Sequence, residues 1–322
     1  MPAPSEETAK TPPVEVSEAE PKVVGAAPQA PAEAPAAGTR LSEMAPWIAA
    51  LLGSVGGIGA LGYLRGRYQH NSLFLPDEMP RGGVPDASPD GLATEDVWFE
   101  SGPPGRAVRL HGWWMEHPKA AGTVLYCHGS SGTIAHRVGV FRQLRQVRVN
   151  VFAFDYRGYG QSEGVPSERG LLTDVRAAYD HLVGPLGRSP EEIFLFGHSL
   201  GGAVAIDAAL DRPAAGLVVQ SSFTDLKDMA RALYPKVPLH LITRNGFRSI
   251  EKVARLTLPK LFILATDDPT VPASVSRRLY EAAAPPKDLF EVKSDGHNDV
   301  HLQGGRKYVR RLRKFRDSCL SG

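Results

Sequence analysis

The chain has 322 residues, with 37 Lys+Arg against 35 Asp+Glu and 42% hydrophobic residues. That length suits a single α/β domain with an extra segment, and a net charge of +2 argues against a dedicated nucleic-acid binder. Two cysteines, Cys127 and Cys319, give neither a disulfide framework nor zinc-ligand spacing. Cys127 closes an apolar run, where burial as a small hydrophobe is expected.

The first segment is rich in Pro, Ala and Glu and has no aromatic residue through about residue 40. It cannot bury enough apolar surface to offset the entropy of ordering, so residues 1–43 are expected to be a disordered tail. Residues 46–64 then run without a charge through Trp47, Ile48, Leu51, Leu52, Val55, Ile58 and Leu61. As a helix this stretch would reach about 28 Å, one bilayer core. It is too far from Met1, and lacks the basic leader, for a cleavable signal peptide. A single membrane anchor within residues 44–66 is expected, the alternative being a Gly-rich surface or linker helix. Gly53 and Gly57 stand in a G-x-x-x-G relation that could pair two such helices into a homodimer. Arg65 and Arg67 follow the stretch against Arg40 before it, which favours the cytoplasmic face for the remainder. The literal G-x-G-x-x-G at residues 57–62 has no preceding strand and no βαβ unit, so dinucleotide binding is rejected.

Beyond a Pro/Gly-rich approach, residues 94–100 and 108–115 read as an antiparallel strand pair. Six short apolar strands follow at 123–127, 150–154, 192–196, 217–220, 260–265 and 288–292. Helical patterns at 135–147, 168–182, 200–210, 274–283 and 300–316 separate most of them. This alternation indicates a mostly parallel sheet covered by helices on both faces.

Two G-x-S-x-G pentapeptides occur, at residues 160–164 around Ser162 and at 197–201 around Ser199. Ser199 follows a buried-strand run and precedes the helical segment 202–210. That strand–turn–helix context strains the serine backbone and presents its hydroxyl at a helix N-terminus. Ser162 follows a glycine-punctuated loop, and Val165-Pro166 delays the next helix, so it reads as a loop serine.

In such sheets reactive groups gather at the carboxyl ends of the strands. His128-Gly129-Ser130 follows one strand, Ser199 a second, Asp267-Asp268 a third, and Asp295 to Asp299, including His297, a fourth. A serine hydroxyl needs a base to become nucleophilic, and His297 can take its proton and return it to the leaving group. A carboxylate should fix the imidazole tautomer. Asp268, Asp267 and Asp299 all stand near enough in sequence to be considered. Developing negative charge on a carbonyl oxygen needs two donors, for which the backbone N–H groups of Leu200 and Ser130 are placed.

His128-Gly129, Asp155 to Ser162, Gly197 to Gly202, Asp268 to Pro272 and Gly296 to Asp299 together resemble the α/β-hydrolase family. Within it they resemble the serine-hydrolase branch that includes protein depalmitoylases and their bacterial relatives. The resemblance runs from about residue 71 to residue 315. It implies an eight-stranded, mostly parallel sheet over residues 67–322, the acid at Asp268, and a structural role for the loop at 160–164. Many relatives have His-Gly where this chain has Leu264-Ala265. Residues 221–258, between the strands at 217–220 and 260–265, are too long for a plain connection and are expected to form a short lid. Its apolar residues, among them Phe223, Met229 and Tyr234, suit either an acyl chain or packing onto the sheet.

The expected function is a serine hydrolase that forms an acyl-Ser199 intermediate on carboxylic esters or thioesters, with lipid-like acyl substrates expected. A peptidase or amidase of the same fold is the alternative enzyme, and a non-catalytic binding or scaffold protein the alternative from another class. No cofactor or metal is implied, and the expected location is a single-pass membrane attachment through residues 46–64.

Overall fold

In the computed structural model, which describes residues 73–76 and 92–321, the eight predicted strands form one sheet in the order β1-β2-β4-β3-β5-β6-β7-β8. The edge pair comes first: β1 (Glu95–Ser101) runs antiparallel to β2 (Val108–Met115), and β2 is antiparallel to β4 (Asn150–Phe154). All other pairings are parallel. The central strands β3 (Thr123–Cys127), β4, β5 (Ile193–His198), β6 (Gly216–Gln220) and β7 (Lys260–Ala265) are buried at every position. Continuous apolar runs without alternation are what two covered faces demand. In β8 (Lys287–Val292), the far edge, only Val292 is buried.

The period of two in each strand sends its side chains into two cores. Leu125, Phe152, Leu195 and Leu217 face one way, against α2 (Glu168–Val183) and α3 (Leu200–Ala208). Val124, Val151, Phe194 and Val218 face the other way, where α1 (Val138–Val147) and the long C-terminal helix cover them. Helix α2 opens on Ser167, whose hydroxyl accepts from the Gly170 N–H at 3.1 Å, a capping contact that fixes where the helix begins.

Between β6 and β7 the chain forms α4 (Leu226–Leu233), α5 (Leu239–Ile242) and α6 (Ser249–Val253). Its apolar residues divide. Phe223 is buried edge-on against Phe247, and Leu226 and Met229 pack on the core. Leu233, Tyr234, Val237 and Leu241 are exposed. After β7 comes α7 (Ala273–Ala282), and after β8 comes α8 (Val300–Leu320). The last helix is longer than the periodicity predicts and is interrupted at Gly305, whose φ of 46° is non-helical. Tyr308, Val309, Leu312 and Phe315 are buried, whereas Leu302, which the same spacing assigns to the apolar face, is 61% exposed. The break at Gly305 shifts the face that precedes it, and a single helical period cannot follow such a break.

Among the described residues no helix is long and apolar enough to cross a membrane. The apolar stretch 46–64 and the tail 1–43 lie outside the described residues.

Candidate active site

Strands β3, β5, β7 and β8 all run parallel, so the segments that leave their carboxyl ends lie at one edge of the sheet. Ser199 stands between β5 and α3 with φ 55° and ψ −120°. A non-glycine residue on positive φ is strained, and here the surroundings hold it there. The Ser199 N–H donates to the Gln220 carbonyl at 2.8 Å, and its own carbonyl accepts from the Ser222 hydroxyl at 2.8 Å. The turn is possible because its flanks are glycine. A Cβ at Gly197 would lie 2.2 Å from the Gly201 carbonyl oxygen, and one at Gly201 would lie 2.0 Å from that of Cys127. Ser199 itself is 6% exposed, at the first turn of a nine-residue helix. There the unpaired N–H groups favour negative charge.

After β7, Asp268 is buried, and its Oδ1 accepts from the N–H groups of Thr270 at 2.8 Å and Val271 at 2.9 Å. The other oxygen, Oδ2, lies 2.7 Å from His297 Nδ1. A carboxylate only accepts, so Nδ1 carries the hydrogen, which leaves Nε2 as the ring nitrogen available for proton exchange. Backbone bonds join the two loops beneath this contact: Thr266 N–H donates to Val292 at 3.0 Å and Asp267 N–H to Ser294 at 3.0 Å. Asp267 is exposed, and its side chain accepts from Thr266 next to it. Asp299 faces its own loop, accepting from Ser294 Oγ at 3.3 Å and from Gln303 Nε2 at 3.3 Å. Of the three carboxylates, Asp268 is therefore the one on His297. Among the described residues no hydrogen bond joins Ser199 Oγ to the His297 ring, a contact that often tightens only when substrate binds.

The candidate oxyanion donors lie at the same end. Leu200 opens α3, so its N–H has no intrahelical acceptor. Ser130 follows β3, and its carbonyl is held by the Tyr159 hydroxyl at 2.9 Å and by Leu75 N–H at 3.0 Å. The neighbouring Gly129 lies beside the serine, since a Cβ built on it would be 3.4 Å from Ser199 Cβ.

Ser162 belongs to a different structure. Its hydroxyl donates to the Asp155 carbonyl at 2.6 Å and accepts from His111 N–H at 2.9 Å, both inside the protein. Arg157, in the same loop, grips the fully buried Asp174 through Nη2 at 2.6 Å and Nε at 3.0 Å. This is the structural hydrogen bonding expected of that loop.

Comparison with known proteins places this architecture. The sequence profile described as Serine aminopeptidase, S33 matches residues 118–249. An Arabidopsis thaliana protein, α/β hydrolase domain-containing protein WAV2, is 32% identical over 292 residues, covering 82% of this chain and 93% of its own. The chain belongs to the α/β-hydrolase family. The zebrafish lysophosphatidylserine lipase ABHD12 is 32% identical over 247 residues, spanning 69% of this chain and 60% of that protein. An esterase of Pyrococcus furiosus shares the fold with a TM-score of 0.61 at 20% identity, over 77% of this chain and 98% of its own.

Two residues of this α/β hydrolase escaped sequence reasoning. His198, inside the pentapeptide, is buried and kept neutral, because burial and the neighbouring His297 hold its pKa well below the usual range. Its Nε2 lies 3.0 Å from the His297 carbonyl oxygen and its ring centroid 4.8 Å from that of His297. The residue next to the predicted nucleophile thereby holds the loop of the predicted base. Arg137 spans a second gap, donating to the Ser131 carbonyl at 2.5 Å and to Asn298 Oδ1 at 3.2 Å. It ties the loop after β3 to the loop that bears His297. Neither residue stands in a chemical motif of its own. The second position of G-x-S-x-G, directly before the serine, was the one available signal for His198.

Proposed function

We propose that this α/β hydrolase cleaves carboxylic esters or thioesters by way of an acyl-Ser199 intermediate. His297 takes the Ser199 proton as the hydroxyl attacks the carbonyl carbon and returns it to the leaving group; it then activates water to release the acid. Asp268 keeps Nδ1–H in place and stabilises the imidazolium. The N–H groups of Leu200 and Ser130 receive the developing oxyanion. The observation that carries this reading is the 2.7 Å contact of His297 Nδ1 with Asp268, in a loop bonded to His198 beside Ser199.

Acyl or lipid-like substrates are the preferred class. The exposed apolar residues of α4–α5, in an insertion that leaves the end of β6 next to Ser199, form a lid that receives an acyl chain. The ester-cleaving relatives support the same class. Attachment through residues 46–64 would bring this site to a membrane surface, the single-pass arrangement the sequence favours. Amide cleavage is the second reading, because the matching profile is named for an aminopeptidase over residues 118–249. A panel of p-nitrophenyl esters, acyl thioesters and aminoacyl amides of graded chain length separates them. Turnover of esters or thioesters above amides is expected, and preference for aminoacyl amides would reverse the assignment.

A further inference from the structure

Behind the Ser130 loop lies a buried pair that the reaction just described does not use. His128 is fully buried, and its Nδ1 lies 2.7 Å from the Gly129 carbonyl oxygen. That oxygen only accepts, so Nδ1 carries a hydrogen. The other ring nitrogen, Nε2, has no hydrogen-bond partner among the described residues and stands 3.4 Å from Asp155 Oδ1. The same Oδ1 already accepts from Ile134 N–H at 2.9 Å. A neutral imidazole with its hydrogen on Nδ1 would oppose an Nε2 lone pair to an ionised carboxylate. One further proton between Nε2 and Oδ1 removes that conflict, and the pair then carries no net charge. Burial favours this outcome from both sides, pushing Asp155 up to about 7 and His128 down to about 3. Room for the carboxyl group depends on Gly160, where a Cβ would lie 2.1 Å from Asp155 Oδ2.

The ring acts on one particular peptide. The Gly129 carbonyl and the Ser130 N–H belong to the same planar trans unit, so they point in opposite directions. Fixing the oxygen on the His128 ring therefore aims the Ser130 N–H away from that ring. Flanking carbonyls are held too, His128 by the Tyr156 hydroxyl at 3.0 Å and Ser130 by that of Tyr159 at 2.9 Å.

We propose that His128 is a positioning residue for the Gly129–Ser130 oxyanion peptide, and that Asp155 keeps Nδ1–H in place by sharing one proton with Nε2. This rests on the reading of Ser130 N–H as an oxyanion donor.

Nitrogen NMR of histidine-labelled wild-type protein tests the protonation directly: His128 should show hydrogen on Nδ1, and a neutral ring with hydrogen on Nε2 alone would overturn the proposal. Kinetics test the consequence. In Asp155→Asn the amide oxygen still accepts from Ile134 but has no proton to lend, which favours hydrogen on Nε2 and releases Gly129. Loss of a single oxyanion donor lowers turnover by about 10²–10³-fold, so a misaimed donor should lower kcat by about tenfold or more with KM little changed. Adding His128→Asn, which sets an amide N–H near the place of Nδ1, should raise kcat above that of Asp155→Asn alone. Wild-type kcat in Asp155→Asn, a rise confined to KM, or no recovery in the double variant would each count against the proposal. Retained turnover in Ser199→Ala would instead overturn the reading of the site, and the His128 nitrogen spectrum remains decisive even if Asp155→Asn fails to fold.

Discussion

The two G-x-S-x-G pentapeptides share a pattern and almost nothing else. At 197–201 the glycines let a strand, a turn and a helix approach within contact, and Ser199 is held at positive φ with no cap hydrogen bond from its hydroxyl among the described residues. At 160–164 the glycines adopt positive φ themselves, 53° at Gly160 and 90° at Gly164, and Ser162 spends its hydroxyl on two backbone groups. A nucleophile needs a strained serine between rigid elements, whereas a loop latch needs a relaxed serine between flexible residues. The pattern alone does not distinguish them; which residue of the pentapeptide carries the unusual backbone does.

The largest expected effects fall on the Ser199 side of this comparison, the side of the proposed nucleophile. Ser199→Ala should lower turnover by about 10⁴-fold or more, read in an ester assay, while Ser162→Ala should retain turnover and lose about 1–3 kcal/mol of stability from the unpaired His111 N–H. Asp268→Asn should lower kcat by about 10⁴-fold through the wrong His297 tautomer. Asp267→Asn should leave kcat near the wild-type value, because its side chain is exposed and, among the described residues, accepts from Thr266 alone. Equal losses in the two aspartate variants would erase the distinction drawn between them.

Much of the fold was legible because burial on both faces writes itself into composition. The runs at 123–127, 150–154 and 260–265 coincide with β3, β4 and β7, since a strand covered on both sides takes apolar residues along most of its length, with the buried polar residues Thr123, Asn150 and Lys260 confined to its first position. The predicted site was legible for a related reason. Strand ends are marked by abrupt changes from apolar to Gly, Ser, Asp and His, and the topology carries those ends to one edge. What stayed hidden depends on pairs far apart in sequence. His198 meets His297 across 99 residues, and Arg137 reaches Asn298 across 161. Pattern reading sees neighbours at helical or strand spacing and has no access to such contacts. The break at Gly305 was missed because glycine within a helical pattern is compatible with both continuation and interruption.

Smaller effects probe the structural side. Gly160→Ala places a methyl group against Asp155 on a backbone that disfavours it, and should cost about 1–3 kcal/mol, seen as a lower midpoint in urea unfolding. An unchanged midpoint would mean that this loop does not need its glycine. A pH-dependent effect lies far from either pentapeptide, at buried Lys260, whose Nζ donates to the carbonyls of Leu256 at 2.9 Å and Leu258 at 2.7 Å. Burial lowers this amine from 10.5 to about 8. The folded protein then binds fewer protons than the unfolded chain between those values, so stability should rise as pH increases from about 8 to 10.5. Thermal unfolding of Lys260→Met across that window should lack this rise.

The most direct test of the difference between the two serines is to treat the native protein with a fluorophosphonate and locate the adduct by peptide mass spectrometry. A single adduct on Ser199, absent from Ser199→Ala and retained in Ser162→Ala, is the predicted result. An adduct on Ser162, or none on the folded protein, would contradict the account.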